Sequence, residues 1–370
     1  MNFKEDMNHL IKSGMFGLIV ADALGVPYEF NDRDWCDINP MTDMIGFGTY
    51  NQAPGTWSDD SSLTIASMDA MAKYSKINIE SPDLKDGKLF IHDFAGTINY
   101  RSILLFYSKW YYDGHYSPYN ECFDIGNTTR YAISNFTLGI EPLKCGGRGD
   151  RSNGNGSLMR ILPAAFYIYF LSLKYDFTLD DEMKTIHNLS KLTHGHKISQ
   201  MACGIYVRIA IEILKYKFKD IVENEYSGED LALEDRDLLF ELVKRGVKSA
   251  KDYYSNISAF EHYMDRFDRV YSLSIIDAPR DEVKSGGFVL SSLEASLWCL
   301  FNNDNYKDTA LAAVNLGRDT DTTAAIVGGL AGLFYEYEQI PANWLDQIAK
   351  YDFIEEIIDN FTEFLSENIE

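Results

Sequence analysis

The sequence predicts an all-α protein folded as one compact domain. Three observations carry that prediction. Apolar residues recur at three- and four-residue spacing through most of the chain, the pattern of one helix face. No segment sustains polar–apolar alternation or a β-branched run, so strand signals are weak. No internal repeat or low-complexity linker divides the 370 residues, a length that suits one large domain or two closely packed ones. The hydrophobic fraction of 46% is enough for a sizeable core, and the 24% charged fraction is ordinary for a folded protein.

In chain order, residues 3–25 read as a helix, with Leu10, Ile11, Met15, Leu18 and Ile19 at helical spacing. Residues 26–55 read as a loop, punctuated by Pro27, Asn31, Asp32, Pro40, Gly46, Gly48 and Pro54. A second helix starts near Ser58 and runs through LTIASMDAMAKY. Residues 77–90 read as a loop, and helical pattern resumes from about Leu89 to Tyr112, broken by Gly96. The glycine-rich stretch CGGRGDRSNGNGS at 145–157 leads into an apolar helix, LMRILPAAFYIYFLSL. Two helices within 182–218 flank THGHK at 193–197. Residues 219–285, rich in charge and helix formers, read as surface helices with loops. Buried helices follow from Gly287 to Phe301, over 306–316, and from Asp321 to Tyr337.

Composition excludes several function classes. With a formal net charge of -22, the chain repels nucleic acid and anionic membrane surfaces, so neither is expected as a partner. The same surplus of carboxylates has two readings, a soluble surface or a set of acids gathered around divalent cations, and only their positions separate the two. The five cysteines (Cys36, Cys122, Cys145, Cys203, Cys299) are odd in number and form no CxxC pair, which argues against a disulfide framework and a zinc site. A reducing cytoplasm is the expected location. The N-terminal apolar run ends at Asp22 and lacks signal-peptide shape, and no apolar stretch is expected to reach the roughly 20 residues that cross a bilayer.

Two short segments concentrate oxygen-bearing side chains just before a helix. One is Gly55-Thr56-Trp57-Ser58-Asp59-Asp60-Ser61-Ser62. The other is Gly317-Arg318-Asp319-Thr320-Asp321-Thr322-Thr323. Capping explains part of this, because Ser, Thr and Asp satisfy free N–H groups at helix starts and acids there complement the helix dipole. One cap needs one residue, however, and each segment offers three or four oxygens. If the segments meet, four carboxylates share one site, and hard divalent cations with oxygen ligands would relieve their repulsion. Glu29 lies in a loop past a helix end, where a solvated glutamate is the default. Asn153-Gly154-Asn155-Gly156-Ser157-Leu158-Met159 is either a flexible turn or a glycine loop presenting N–H groups to a phosphate, and it fits neither the Walker nor the Rossmann spacing. His194 and His196 lack an acidic partner pattern for zinc, so a surface or capping role is favoured. Asp124 reads as the cap of a helix beginning near Thr128.

Together these residues resemble the ADP-ribosylglycohydrolase family, of the dinitrogenase reductase-activating glycohydrolase and ADP-ribosyl-acceptor hydrolase type. The resemblance runs from about Gly14 to Trp344, through GLIVADALGVPYEF, GTWSDDSSL, YSPYNECFDIGNTT, NGNGSLMRILPAA, LTHGH, SGGFVLSSLEASLWC and VNLGRDTDTTAAIVGGLAGLFYEYEQIPANW in the family's order. It implies an all-α fold with two divalent cations, Mg2+ or Mn2+, held by Ser58, Asp59, Asp60, Asp319, Asp321 and Thr322. It implies a role for Glu29 beside the metals, so Glu29, Asp59 and Asp60 are the candidate general acids or bases. Asn153, Gly154, Asn155, Gly156, Ser157, Met159 and His194 would contact ADP-ribose, and Asp124 would lie near an acceptor guanidinium. Three departures stand out: Ser58 where Thr is usual, Arg318 where Gly is common, and Ala21 for a frequent Gly. The expected function is removal of ADP-ribose from a modified protein side chain, arginine first. The alternatives are a non-catalytic ADP-ribose binder, or an immunity protein neutralising an ADP-ribosyltransferase toxin.

Overall fold

The computed structural model describes residues 3–77, 84–85, 88–91, 93–218 and 235–369. The first helix, α1 (Phe3–Gly25), is buried on nearly all sides from Met7 onward. A helix apolar all round belongs in a core, and small residues let another backbone approach it. Its partner is the helix Thr320–Tyr335, whose sequence TDTTAAIVGGLAGLFY has the same character. A Cβ on Gly17 would lie 2.4 Å from the Gly328 carbonyl oxygen, and one on Gly25 would lie 2.3 Å from the Asp321 Cα. The two helices therefore run antiparallel, backbone against backbone, and bring the end of α1 to the start of its partner.

The other elements wrap this pair. In chain order they are α2 (Arg33–Ile38), α3 (Asp59–Tyr74), α4 (Tyr100–Asp113), α5 (Asn127–Thr137), α6 (Leu162–Ser172), α7 (Leu179–Lys191), α8 (Lys197–Lys217), α9 (Asp235–Ser255), α10 (Val289–Phe301), α11 (Tyr306–Val314), α12 (the partner of α1) and α13 (Tyr351–Ile369). Helix α3 packs between α4 and α13, while α8 lies against α6, α7, α9 and α10. The all-α expectation holds, with one small addition. Short strands β1 (Leu84–Lys85), β2 (Lys88–Phe90) and β3 (Tyr175–Asp176) form a sheet in the order β1-β2-β3, antiparallel and then parallel.

Several boundaries differ from the sequence reading. Helical pattern does not resume at Leu89: that residue pairs with Tyr175 across β2 and β3, and α4 begins only at Tyr100, capped by the Asn99 side chain. Of the loop expected over 77–90, residues 78–83 and 86–87 lie outside the described residues, as do 219–234 of the charged region. The loop expected over 26–55 contains α2, whose N-cap Asp32 accepts a hydrogen bond from Trp35 N. The membrane expectation also needs correction. Residues 3–28 include an 18-residue window with mean hydropathy 1.4, long and apolar enough to span a bilayer, although 94% of that window is buried inside the fold.

Candidate metal and substrate site

The N-termini of α3 and α12 and the C-terminus of α1 converge, and each delivers acids. Asp22, Asp60 and Asp321 are all fully buried. They form one group of three whose ligand oxygens lie within 4.8 Å of one another, and Glu29, Asp319 and Asp321 form a second. Asp321 belongs to both. The two segments singled out in the sequence therefore do meet: Asp60 from the first and Asp319 and Asp321 from the second fall in these groups, joined by Asp22 and Glu29, while Asp59 is in neither. Two helix N-termini face the cluster, so their dipoles favour the negative charge gathered there.

Hydrogen bonds fix the acids in place. Both carboxylate oxygens of Asp22 accept from Ser58 N, at 3.1 and 3.0 Å, and Oδ2 also accepts from Ser61 N at 3.0 Å and Ser61 Oγ at 2.5 Å. Asp22 thereby anchors the first turn of α3 to α1. Oδ2 of Asp60 accepts from Ser58 Oγ at 3.0 Å and from Thr322 Oγ1 at 3.2 Å. Asn155 Nδ2 donates to Asp319 Oδ2 at 2.9 Å and to Ser292 Oγ at 2.9 Å, which ties the glycine loop to the cluster. Ser58 also caps α3 through Asp60 N, so the capping role and the site role fall on one residue.

What remains is a set of carboxylate oxygens without partners. Glu29 Oε2, Asp60 Oδ1 and Asp321 Oδ2 are buried and make no hydrogen bond among the described residues. A buried, unsatisfied carboxylate oxygen is costly, and neighbouring carboxylates raise that cost. Burial first, then the mutual repulsion of Asp124, Asp60, Asp22 and Glu29, holds Asp59 well above the usual carboxylate range. Asp60 and Asp321 are pushed up in the same way, first by burial and then by their acidic neighbours. Burial raises Asp22 to about 6, even against its four hydrogen bonds. Glu29 rises to about 9 through burial and then the Asp124 charge. Divalent cations would resolve this conflict. Two adjacent groups of hard oxygen ligands sharing Asp321, with the Ser58 and Thr322 hydroxyls beside them, fit two such ions.

Beside Glu29 the site is aromatic and acidic. Tyr50 lies beside Asp124 and Glu29, and burial followed by those two charges pushes its pKa up. Phe30, Tyr50 and Phe123 form a row, with ring centroids 6.2 and 5.2 Å apart. Asp124 does not cap α5. The N-cap is Gly126, and Asp124 takes a left-handed backbone (φ 48°) that turns it toward Glu29. Arg318 is likewise left-handed (φ 72°), the region that favours glycine. Its N–H donates to Asn31 O and its carbonyl accepts from Phe30 N, both at 2.6 Å, so the loop carrying Glu29 is strapped to the loop carrying Asp319.

The glycine loop faces the same cleft. It is held open by Asn155 N to Gly287 O (3.1 Å) and Val289 N to Asn153 O (3.0 Å). The N–H groups of Gly154, Gly156 and Ser157 make no hydrogen bond among the described residues, leaving donors for an anion. His194 lies behind the loop, 2% exposed, and a Cβ on Gly156 would meet its ring at 2.8 Å. Burial lowers the His194 pKa to about 3, so the ring is neutral. Met159 is buried in the core, and its carbonyl accepts a hydrogen bond from Thr64 Oγ1. His196 caps α8 by accepting from Ile198 N. Sequence reasoning missed Asp22 and Tyr50. An acid closing an otherwise apolar helix was a readable signal for Asp22, whereas Tyr50 sits in a loop and nothing in the sequence marks it.

The chain matches the family model described as ADP-ribosylglycohydrolase over residues 4–369. The chain belongs to the ADP-ribosylglycohydrolase family. It is 28% identical to the ADP-ribosylarginine hydrolase Tri1 of Serratia proteamaculans, over 92% of this chain and 75% of that protein. It is 23% identical to the ADP-ribosyl-[dinitrogen reductase] glycohydrolase of Rhodospirillum rubrum, over 90% and 87%. A solved ADP-ribosylglycohydrolase-related protein complex superposes with a TM-score of 0.66 at 19% identity, covering 97% of this chain and 99% of that one, a likeness of fold. Within this ADP-ribosylglycohydrolase fold, the carboxylate cluster lies at the meeting point of α1, α3 and α12.

Proposed function

We propose that the protein hydrolyses the bond between ADP-ribose and a protein side chain, with arginine as the acceptor and two divalent cations, Mg2+ or Mn2+, at the carboxylate cluster. The observation that carries the reading is the pair of carboxylate groups sharing Asp321, with buried oxygens left unpartnered. Asp60, Asp319 and Asp321, with Asp59 and the Ser58 and Thr322 hydroxyls, would hold the cations. When bound, such ions neutralise the cluster and lower the pKa of water.

The chain's own residues supply the rest. The N–H groups of the 154–157 loop hold the diphosphate, and Asn155 couples that grip to Asp319. Asp124 orients the guanidinium, whose flat cation also suits the Phe30, Tyr50 and Phe123 row. As the C1″–N bond breaks through an oxocarbenium-like state, water adds its hydroxyl to C1″ and its proton ends on the guanidine nitrogen. Glu29 Oε2, buried and unpartnered, is the atom placed to take that proton from the water. Arginine is further supported by the name of the Serratia relative, an ADP-ribosylarginine hydrolase. The intact acid set speaks against pure binding.

The test is release of ADP-ribose from an arginine-ADP-ribosylated protein with magnesium, with manganese and with chelator, beside a serine-linked substrate. Metal-dependent release from arginine is the expected result. Release from serine alone overturns the acceptor assignment, and release in chelator overturns the metal assignment.

A further inference from the structure

A cavity with a surplus of cations lies outside the carboxylate site. It measures about 620 Å3 and lies at the opposite end of the glycine loop. Four cations line it, Lys144, Arg148, Lys191 and Lys197, against two carboxylates, Glu141 and Asp150. In a chain with 56 acidic and 34 basic residues, there are more than enough carboxylates for each cation to find one. Here only Lys144 does, 2.6 Å from Glu141. Arg148 donates to the Leu143 carbonyl at 3.0 Å, Lys191 to Asn188 Oδ1 at 3.1 Å, and Lys197 lies over the Phe260 ring at 4.3 Å. None of these three makes an ion pair among the described residues. Burial lowers the Lys191 pKa, and the nearby Lys197 and Arg148 charges lower it further, so the cations repel one another.

Two further features point to a ligand. Gln200 lines the cavity, is 2% exposed, donates to Gly195 O at 2.8 Å, and leaves its Oε1 buried and unpartnered. Tyr263, half-buried, packs edge-on against His196 at the same wall. Cations and an aromatic wall together suit a phosphorylated nucleoside better than a bare anion.

The cavity is joined to the catalytic cluster by chain connectivity. Gly147, next to Arg148, bridges to His194, and Gly195 N donates to Gly147 O at 2.7 Å. Seven residues on, Asn155 holds Asp319. A diphosphate on residues 154–157 leaves the nucleoside end of the substrate free to run along the loop toward Lys191 and Lys197.

We infer that this cavity binds a phosphate attached beyond the diphosphate, on the nucleoside side, so that the preferred substrates carry an anionic extension of ADP-ribose. The inference rests on the ADP-ribose reading of the carboxylate site. The extension is either a phosphomonoester on the adenosine ribose or the diphosphate of a second ADP-ribose unit. Charge-assisted hydrogen bonds to two or more of these cations correspond to about tenfold tighter binding or more.

Calorimetric titration of the manganese-loaded protein tests this, with ADP-ribose, ADP-ribose 2′-phosphate and a two-unit ADP-ribose as ligands. One or both extended ligands should bind at least about tenfold tighter than ADP-ribose, and the tighter of the two names the source. The Lys191→Gln/Lys197→Gln double variant, and Arg148→Gln separately, should reduce that preference while leaving ADP-ribose affinity unchanged. Equal affinity for all three ligands, or a preference that survives in both variants, overturns the inference and leaves the ADP-ribose reading standing. Failure of ADP-ribose itself to bind overturns both.

Discussion

Glu29→Gln tests both the burial of this acid and its place at the metal site, because the chelated variant should gain stability while its manganese shift should shrink. Glu29 is 5% exposed, its Oε2 has no partner, and Asp124 and Asp319 add repulsion to its burial. Its folded pKa is raised to about 9, against 4.5 for the free group. A raised pKa means that the folded state of the chelated protein holds a proton the unfolded chain has released. That contribution to stability is complete below about pH 4.5 and is lost progressively as pH rises toward 9. At pH 7.5 the gap is about three units, or about 4 kcal/mol against the wild-type fold. The isosteric amide escapes that penalty. For 370 residues, unfolding entropy is about 0.8 kcal/mol per degree, so the chelated variant should melt about 5 °C higher at pH 7.5. Near pH 4.5 it should show no advantage. Added Mn2+ at about a hundred times its Kd should raise the wild type by about 3 °C per site, and the variant by less. Scanning calorimetry across pH 4.5–9, with and without chelator, reads all of this. A variant destabilised equally at every pH, with the full manganese shift retained, refutes the reasoning.

Four other outcomes follow from the same geometry. Asp321→Asn and Asp60→Asn should each lower turnover about a thousandfold or more and abolish the manganese-induced melting shift, with the helical circular-dichroism signal intact; the two activities and melts check this together. Gly25→Ala drives a Cβ to 2.3 Å from the Asp321 backbone, so it should cost about 3 kcal/mol or more and weaken metal affinity, read by denaturant titration and by manganese binding. His187 is fully enclosed, bonded to the Tyr254 hydroxyl at 2.9 Å, and burial lowers its pKa to about 3. A depressed histidine stabilises the fold above pH 6.5 and loses that contribution as pH falls, so His187→Phe should gain about 2 kcal/mol relative to wild type between pH 7 and pH 5, measured by urea midpoints. Tyr50→Phe removes the hydroxyl beside Glu29 and Asp124 and should lower kcat/KM for the arginine-linked substrate about tenfold while leaving manganese affinity unchanged, read by kinetics beside metal titration.

The long helices were legible because burial follows periodicity. The residues 3–25 pattern matches α1 at both ends, and the two helices around THGHK end where glycine and a histidine cap interrupt them. The all-α reading stood for the same reason, while the three short strands escaped it: two- and three-residue strands carry too few alternations to register. At the site, clustered oxygens beyond the needs of one cap were the readable signal for Asp59, Asp60, Asp319 and Asp321. What brings the two segments together is the small-residue contact of Gly17 with Gly328, and that pairing is a property of packing over some 300 intervening residues. Asp124 was misread as a cap because the sequence does not reveal a left-handed backbone at a non-glycine residue. Arg318 shows the converse, since its positive φ turns an odd substitution into a strained strap between two site loops.

The most direct measurement is anomalous diffraction from crystals grown with Mn2+ and ADP-ribose. Two manganese peaks among Asp60, Asp319 and Asp321, with the distal ribose beside them and the diphosphate on the 154–157 N–H groups, is the expected result. An absence of manganese from the cluster at millimolar concentration, with ADP-ribose bound elsewhere or not at all, would contradict the account at its centre.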